Sequence, residues 1–266
     1  MEAAGVKEAR ELKIVRDPSV FLVGRQTVDR AAIERFLGEH ALTWQTDTEV
    51  GAEALAEMAG RVCYLSYGKG RKSNHEFLEH IIEVGHGSVL EHGVWSFLIT
   101  GVSRSFTHEL IRHRHFSYSQ LSQRYVNESE SAFVEPDVIA ADPALHQAWC
   151  EAVDATRRAY DLLVEGLQKR YAGIPEVTLR RKLARQAARS VLPNATETKI
   201  FMTGNARALR HFIELRGSEH ADIEIRKVAV AILKIMQQEA PAMFADYTLV
   251  PLGGGDVATR TPHPKV

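Results

Sequence analysis

The sequence predicts an α+β fold in which helices outnumber strands. Apolar residues recur every three or four positions over several long stretches, a spacing typical of amphipathic helices. Only short runs, most clearly 94–99 and 196–202, have the continuous or alternating apolar pattern of strands. The 266 residues, 45% hydrophobic and 25% charged, have the composition of a folded globular protein. This length fits one large domain or two small ones.

The predicted elements follow one another along the chain with few breaks. Short strand-like runs flank Pro18, and the polar stretch 128–143 reads as a linker. Gly85 is placed to end one helix, and Asn205 to begin another as its N-cap. In chain order, helices are predicted at 31–42, 52–66, 75–85, 103–112, 144–171, 178–189, 205–220 and 221–238.

Positive charge is concentrated in three windows of an otherwise acidic chain. The windows 104–124, 178–189 and 207–216 hold 12 of the 33 basic residues, but only Glu109 and Glu214 of the 34 acidic ones. Such segregation creates a local positive potential that attracts anionic ligands. Because the rest of the chain is acidic and the net charge is −1, small phosphates are favoured over a long nucleic acid.

The first window holds the densest set of polar donors in the chain. Residues 104–125 read RSFTHELIRHRHFSYSQLSQRY, with arginines and histidines beside Ser, Gln and Tyr. The guanidinium fork suits phosphate, which it binds through two parallel hydrogen bonds. A solvated basic helix end, stabilised by the helix dipole, is the alternative interpretation of Arg112, His113 and Arg114.

Most common catalytic signatures are absent from the sequence. It has no Rossmann or P-loop glycine pattern, no paired-cysteine or HExxH zinc motif and no GxSxG elbow. Cys63 and Cys150 are too few and too far apart for a zinc or disulfide framework, and Cys63 is expected to be a small core residue. His86 and His92 are assigned a structural or capping role, so no metal site is predicted.

Two other function classes remain open on composition alone. A nucleic-acid-binding module would use the Arg/His stretch and its aromatic neighbours, and its binding would depend strongly on salt. A metal-dependent hydrolase would use the 12 histidines and would be sensitive to chelators. The charged N-terminus and the absence of an apolar run of about 20 residues predict a cytoplasmic protein with no membrane partner.

The chain resembles the flavin-dependent thymidylate synthases. The signature is Arg112-His113-Arg114, then seven residues, then Ser122, followed by Gln123-Arg124-Tyr125. Four longer stretches are similar to the family in order and spacing: HGSVLEH (86–92), GVSRSFTHELIRHR (101–114), RQAARSVLPNATET (185–198) and TGNARALRHFIELRGSEHAD (203–222). The resemblance implies a catalytic domain over 46–250, after a segment 1–45 of unassigned role and before a disordered tail at 251–266.

The resemblance implies a reaction as well as a fold. In the family, dUMP is reductively methylated to dTMP, with methylenetetrahydrofolate as carbon donor and NADPH as the reductant of bound FAD. No enzyme nucleophile takes part, because the cofactor supplies the difficult chemistry. The implied fold is α+β, with a mixed or antiparallel sheet flanked by helices. The implied assembly is a homotetramer whose active sites are shared between chains.

Individual roles follow only for positions that match the family's motifs. The positions implied for FAD are His86, Ser88, Arg112, His113, Arg114, Gln120, Asn205, Arg207 and His211. Those implied for dUMP are Glu109, Arg112, Gln120, Ser122, Gln123, Arg124, Arg189 and Arg216. Arg216 is also the implied catalytic residue, the cation that stabilises the ionised uracil ring. A helical projection places it with Leu209 and Phe212 on an apolar face, where a fixed cation acts most effectively on developing negative charge.

Overall fold

The computed structural model of the protein describes residues 11–67 and 69–266. The helices are α1 (Arg30–Glu39), α2 (Gly51–Tyr64), α3 (Asn74–Glu83), α4 (Gly87–Leu90), α5 (Arg104–Leu110), α6 (Asp137–Ala140), α7 (Pro143–Arg170), α8 (Val177–Ala188), α9 (Ala206–Arg216), α10 (Ile223–Glu239) and α11 (Pro241–Phe244). The strands are β1 (Ile14–Val15), β2 (Ser19–Arg25), β3 (Val94–Ser103), β4 (Ser117–Gln120), β5 (Phe133–Val134), β6 (Glu197–Asn205), β7 (Thr248–Gly253) and β8 (Asp256–Arg260). The predicted α+β class is confirmed, with both parallel and antiparallel strand pairs.

The chain divides into two compact units. The first unit comprises residues up to Asp17 together with Gly101–Ser105 and Gln120–Lys199. The second unit comprises Pro18–Thr100, Phe106–Ser119 and Ile200–Val266. The polar composition of residues 1–12 also predicts a lead-in to the fold, of which residues 1–10 lie outside the described part of the chain.

A four-stranded sheet with the order β2-β3-β6-β4 organises the second unit. β2 and β3 are antiparallel, with Ser19 opposite Thr100 and Arg25 opposite Trp95. Alternate residues of the central strands are buried, because successive side chains of a strand point to opposite faces. Trp95 is almost fully buried, and its ring meets that of Phe244 edge to face at 6.3 Å.

The core of the second unit is completed by the helices that follow β6. α9 and α10 both bury most of their apolar side chains. Arg210 of α9 is also buried, although a helical projection of the sequence groups it with Arg207, His211 and Glu214 on a polar face. Its guanidinium forms two bonds of 2.6 and 2.8 Å with the carboxylate of Asp246, which a helical projection of α9 alone could not reveal.

The first unit is built mainly from the α7 and α8 pair. Tyr160, Val164 and Ala188 form its buried apolar cluster. The stretch 128–143, predicted to be a linker, instead contains β5 and α6. β5 pairs in parallel with β1, which gives this polar stretch backbone partners that sequence periodicity did not reveal.

Most helix boundaries agree with the predictions, but α5 is shorter than expected. Its helical hydrogen bonding gives way after Leu110 to tight turns, in which the amides of Arg112 and His113 bond the carbonyls three residues before them. The Tyr118 hydroxyl donates to the carbonyls of Leu110 (2.7 Å) and His113 (3.1 Å). Carbonyls at a helix end need such partners, so Tyr118 stabilises the turn in place of further helix. Ser103, the predicted cap, is a buried residue of β3.

The expected disordered tail at 251–266 is wrong over its first half. β7 and β8 form an antiparallel hairpin, with Thr248 opposite Arg260. Gly253, Gly254 and Gly255 all have positive φ, a conformation that glycine adopts without strain, so the glycine run makes the turn. The buried Thr259 hydroxyl donates to the Ile213 carbonyl at 2.9 Å, which fastens the hairpin to α9. The glycine run therefore marks a tight connection.

Three further findings concern expectations from the sequence, on Cys63, metal binding and membrane spans. Cys63, predicted to lie in the core, is exposed at the end of α2. Across 11–67 and 69–266, no three His, Cys, Asp or Glu side chains are grouped as a metal ion requires. In the same ranges, no helix is both long and apolar enough to cross a bilayer.

Candidate active site

The Arg112-His113-Arg114 triplet lies in the turn after α5, and its side chains differ in exposure. Arg112 and Arg114 are exposed, whereas His113 is buried, with 8% of its surface accessible. The shape of the turn is fixed from within the second unit, because Tyr118 of β4 bonds the carbonyls on both sides of Arg112. The backbone of the two arginines is therefore braced by Tyr118, while both arginine side chains are exposed.

The His113 ring lies in an aromatic pocket. Phe212 meets it edge to face at 5.1 Å, and the rings of Phe116 and His211 lie 6.2 and 6.0 Å away. Phe116 in turn packs against Gly204, where an added Cβ would lie 2.2 Å from the ring. Any side chain at position 204 would displace Phe116, and with it one wall of the pocket.

Arg216, at the last position of α9, is held by two partners from the α5 region. Its Nη1 donates to the Glu109 carboxylate at 2.8 Å, and its Nε donates to His113 Nε2 at 3.0 Å. The Arg216 side chain is 21% exposed. The cation is thus fixed in direction, partly shielded from water and still accessible to a ligand.

The electrostatics of this group keep His113 neutral. Burial, together with the nearby charge of Arg216 and the imidazoles of His211 and His115, lowers the pKa of the imidazole to about 4. A neutral imidazole has one lone pair, and that of Nε2 is the acceptor for Arg216. At neutral pH the group therefore contains one cation, one carboxylate and one uncharged acceptor.

A second set of predicted residues lies where α4 and α9 begin. Asn205 caps α9, since its side chain accepts the amide of Ala208 at 2.8 Å, which confirms the predicted N-cap. Arg207 is exposed and pairs with Glu91 at 2.6 Å. Its Nε lies 2.9 Å from where a Cβ on Gly87 would stand, so a larger residue between His86 and Ser88 would obstruct Arg207. His86, Ser88 and His211 are exposed.

The remaining predicted residues belong to the first unit. Gln120, Ser122, Gln123 and Arg124 lie on one half-buried stretch that continues from β4, and Arg189 is exposed just beyond α8. The Leu121 carbonyl accepts from Arg104 at 2.8 Å, which anchors this stretch. Burial lowers the pKa of the Arg104 guanidinium. The negative charge of Glu128 raises this pKa and the positive charge of Arg189 lowers it, so Arg189 lies close enough to Arg104 for their charges to interact.

Arg124 has an orphaned donor of the kind that a phosphate satisfies. Its Nε is buried and bonds no acceptor in the described part of the chain. Its guanidinium carbon lies 5.9 Å from the centre of the Tyr125 ring. A buried donor without a partner costs free energy, so a ligand oxygen at this position would be stabilising.

The structure thus groups the predicted residues by unit. In the second unit, Glu109, His113, His211 and Arg216 form one cluster, and Gly87 brings the His86–Ser88 turn against Arg207. In the first unit, Gln120–Arg124 form one stretch.

Sequence reasoning missed the supporting residues Tyr118, Phe116 and Arg104. The alternation of Tyr118 with exposed serines was the only signal that its side chain turns inward.

Comparisons with known proteins assign the chain to a family. The model of the family described as thymidylate synthase complementing protein matches residues 46–242. The flavin-dependent thymidylate synthase of Mycobacterium avium (strain 104) is 53% identical over 230 residues, covering 85% of this chain and 92% of the relative. The chain is a member of the flavin-dependent thymidylate synthase family. The resemblance inferred from its motifs is confirmed.

Another relative supports this assignment, and a solved structure has a similar fold. The flavin-dependent thymidylate synthase of Mycobacterium marinum (strain ATCC BAA-535 / M) is 51% identical over 238 residues, covering 88% of this chain and 95% of the relative. The crystal structure of the UMP/dUMP methylase PolB from Streptomyces cacaoi, bound with 5-Br UMP, aligns with a TM-score of 0.63 and 22% identity. It covers 89% of this chain and 96% of that one, so the two proteins share a fold over nearly all of this sequence.

Proposed function

We propose that the protein is a flavin-dependent thymidylate synthase that methylates dUMP to dTMP. Family membership over residues 46–242 is the observation that carries this proposal. The curated relatives are named for this activity, and the likeness extends over 85% of the chain. We assign methylenetetrahydrofolate as the carbon donor, NADPH as the reductant, FAD as the flavin and 46–250 as the catalytic domain.

The residues of the second unit fit an FAD molecule. Arg112, Arg114 and Arg207 are exposed guanidinium groups, which suit a diphosphate. Gly87 lies against Arg207, which brings the His86–Ser88 turn beside one of these guanidinium groups. His86 and Ser88 at the start of α4, Asn205 at the start of α9 and His211 in the middle of α9 add hydrogen-bonding groups. When bound, the flavin would supply the redox chemistry that protein side chains lack.

The dUMP site is assigned to residues with phosphate-binding and uracil-binding chemistry. Arg124, with its buried unpartnered Nε, and Arg189 are the proposed phosphate ligands, supported by Ser122, Gln123 and Gln120. Arg216 is the proposed catalytic residue, since its fixed guanidinium would stabilise negative charge as it develops on the uracil ring. Glu109 orients Arg216 through the 2.8 Å bond to Nη1 and offsets part of its charge.

We infer that the active enzyme is a homotetramer with active sites shared between chains. The predicted ligand positions are distributed over two separate groups, and basic side chains line several distinct helices. Each group could then serve a different site of the assembly. A tetramer in light-scattering measurements, with loss of flavin when it is dissociated, is the expected result.

The deciding experiment follows the flavin and the product together. The purified protein should show a flavin absorption spectrum that shifts when dUMP is added. It should convert dUMP to dTMP when methylenetetrahydrofolate and NADPH are supplied, but not when either is omitted. A protein that takes up no FAD and forms no dTMP would contradict the proposed function.

A further inference from the structure

We propose that His113 is a positioning residue for Arg216, which it orients by accepting a hydrogen bond from Nε. This inference rests on the proposed function, in which Arg216 acts on the uracil ring. It gives His113 a task other than the cofactor contact that the family resemblance implies.

The first support is the direction of the bond. Arg216 Nε lies 3.0 Å from His113 Nε2, and a guanidinium nitrogen can only donate. His113 Nε2 must therefore present its lone pair, which places the imidazole proton on Nδ1. Only the neutral ring with this tautomer satisfies the geometry.

The second support is the environment that enforces the neutral ring. His113 is 8% exposed, and its burial, joined by the charges around it, lowers its pKa to about 4. The charged or titratable groups that face it are Arg216, His211 and His115, and each disfavours a protonated imidazole. The Phe212 ring at 5.1 Å and the Phe116 ring at 6.2 Å complete the pocket and hold the imidazole plane in place.

The third support is the division of work between the two partners of Arg216. Two hydrogen bonds, one at Nε and one at Nη1, fix the plane of a guanidinium group as well as its axis. Glu109 is an anion and so weakens the positive potential that Arg216 offers a ligand. His113 is uncharged and orients the cation without that loss. Within the described residues nothing bonds Nη2, which leaves it as the donor available to a ligand.

The functional consequence is specific to the reaction step. A guanidinium that already points at the developing charge needs no reorganisation in the transition state. Without His113 the guanidinium would rotate about its bond to Glu109, and the mean orientation of Nη2 would be lost. Ground-state binding of dUMP would change little, because its phosphate is assigned to other arginines.

The test compares two substitutions of similar size. His113→Leu removes the acceptor, and His113→Gln restores an acceptor oxygen near the position of Nε2. We expect His113→Leu to keep its flavin content and its KM for dUMP within about threefold, while kcat falls roughly 10–100-fold, as for removal of other outer supports of a catalytic group. His113→Gln should recover most of kcat. His115→Gln, an exposed neighbour in the same motif, is the matched control.

Two results would overturn the proposal. Equal kcat values for the leucine and glutamine variants would show that the acceptor is irrelevant, and loss of flavin from both would assign His113 to the cofactor. A wild-type protein that forms no dTMP would instead refute the proposed function itself.

A measurement on the wild-type protein covers the case in which His113→Leu fails to fold. The nitrogen shifts of histidine labelled with 15N distinguish the two tautomers. We expect His113 to be protonated on Nδ1 alone at neutral pH and to titrate near pH 4, as its lowered pKa requires. A proton on Nε2 at neutral pH would be incompatible with the proposed bond and would overturn the proposal without any variant.

Discussion

At the scale of single residues, the site depends on a few charged groups whose partners are fixed by burial. Arg216 combines a defined orientation with partial exposure, and Arg210, six residues earlier on the same helix, is sealed inside the core. Both were visible in the sequence as arginines of one basic window. Which of them stays partly exposed and which pairs with Asp246 depends on residues distant in sequence, so helical periodicity alone could not distinguish them.

The catalytic role proposed for Arg216 predicts a selective loss of activity. Arg216→Ala should keep the fold and the bound flavin but lower turnover at least about 100-fold, as does removal of other donors aimed at developing charge. Steady-state rates and the flavin absorption of the purified variant provide the measurement. Arg30→Ala, which alters an exposed ion pair with Glu49, should behave as wild type. Near-normal turnover by Arg216→Ala would contradict the assigned role.

The buried pair Arg210–Asp246 predicts a large loss of stability. Because Arg210 is 1% exposed, Asp246→Ala would leave a buried cation without its partner, which typically costs about 3–5 kcal/mol. Urea unfolding at pH 7 measures the loss. Glu49→Ala, which removes an exposed partner of Arg30, should change the unfolding free energy by no more than about 1 kcal/mol.

The same pair predicts an acid-dependent loss in the wild-type protein. Burial tends to raise the pKa of Asp246, but its bonds and charge interaction with Arg210 outweigh burial and hold the pKa below its usual value. A depressed native pKa stabilises the fold above the unfolded-state pKa of about 3.9. The contribution should therefore be fully present at pH 7 and lost as the pH falls below about 4. If the difference in unfolding free energy between wild type and Asp246→Ala stays constant down to pH 3, this account is wrong.

At the scale of elements, the chemistry sits where one element stops and the next begins. α5 ends at Leu110 because the Tyr118 hydroxyl and the following turns take over its carbonyls, and this early stop places His113 against Arg216. Burial raises the pKa of the Tyr118 phenol, which keeps it a hydrogen-bond donor throughout the physiological range. Helical periodicity predicted that a helix exists here, but its end is set by a tyrosine from a strand.

The role of Tyr118 can be measured directly. Tyr118→Phe removes the donor to two carbonyls and should lower the unfolding free energy by about 1–3 kcal/mol. A fall in turnover should accompany it, because the turn that carries His113 loses its brace. Tyr64→Phe alters a tyrosine that is 73% exposed and should leave both quantities unchanged. Unaltered stability of Tyr118→Phe would show that the turn holds without the hydroxyl.

Gly217 lies at the junction between α9 and the β7–β8 hairpin, and Gly166 of α7 provides a control for its substitution. At Gly217 an added Cβ would lie 2.1 Å from the Thr259 hydroxyl and 2.6 Å from the Ile213 carbonyl, whereas at Gly166 of α7 nothing lies within 4 Å. Gly217→Ala should therefore destabilise the protein, and Gly166→Ala should stabilise it by about 0.5–1 kcal/mol through the higher helix propensity of alanine. Thermal unfolding of the two variants should show melting temperatures that move in opposite directions.

At the scale of the whole molecule, the fold class and the family could be predicted from the sequence more reliably than the short strands. The long helices and the central strands were recognised because their apolar periodicity reflects burial on one face. β4, β5 and the β7–β8 hairpin were missed, since short strands among Gly, Pro and Ser have no clear period. Sequence motifs predicted the candidate site residues, but only the structure revealed the bonds that join Glu109, His113 and Arg216.

The charge distribution predicts how the whole molecule responds to salt. Three basic windows on an otherwise acidic chain attract a dianionic nucleotide over a distance that shrinks from about 10 Å at 0.1 M salt to about 3 Å at 1 M. KM for dUMP should therefore rise across this range, with a smaller change in kcat. Initial rates at several salt concentrations test this, and a KM that is independent of salt would contradict it.

The contact between Gly204 and Phe116 has an evolutionary implication. With 2.2 Å between the ring and a Cβ at position 204, the two positions form a single steric unit. A lineage could replace the glycine only after the phenylalanine had become smaller, and each intermediate would have a distorted pocket around His113. Positions 116 and 204 should therefore change together or remain fixed together, so the pair is a better guide to a shared active-site architecture than either position alone.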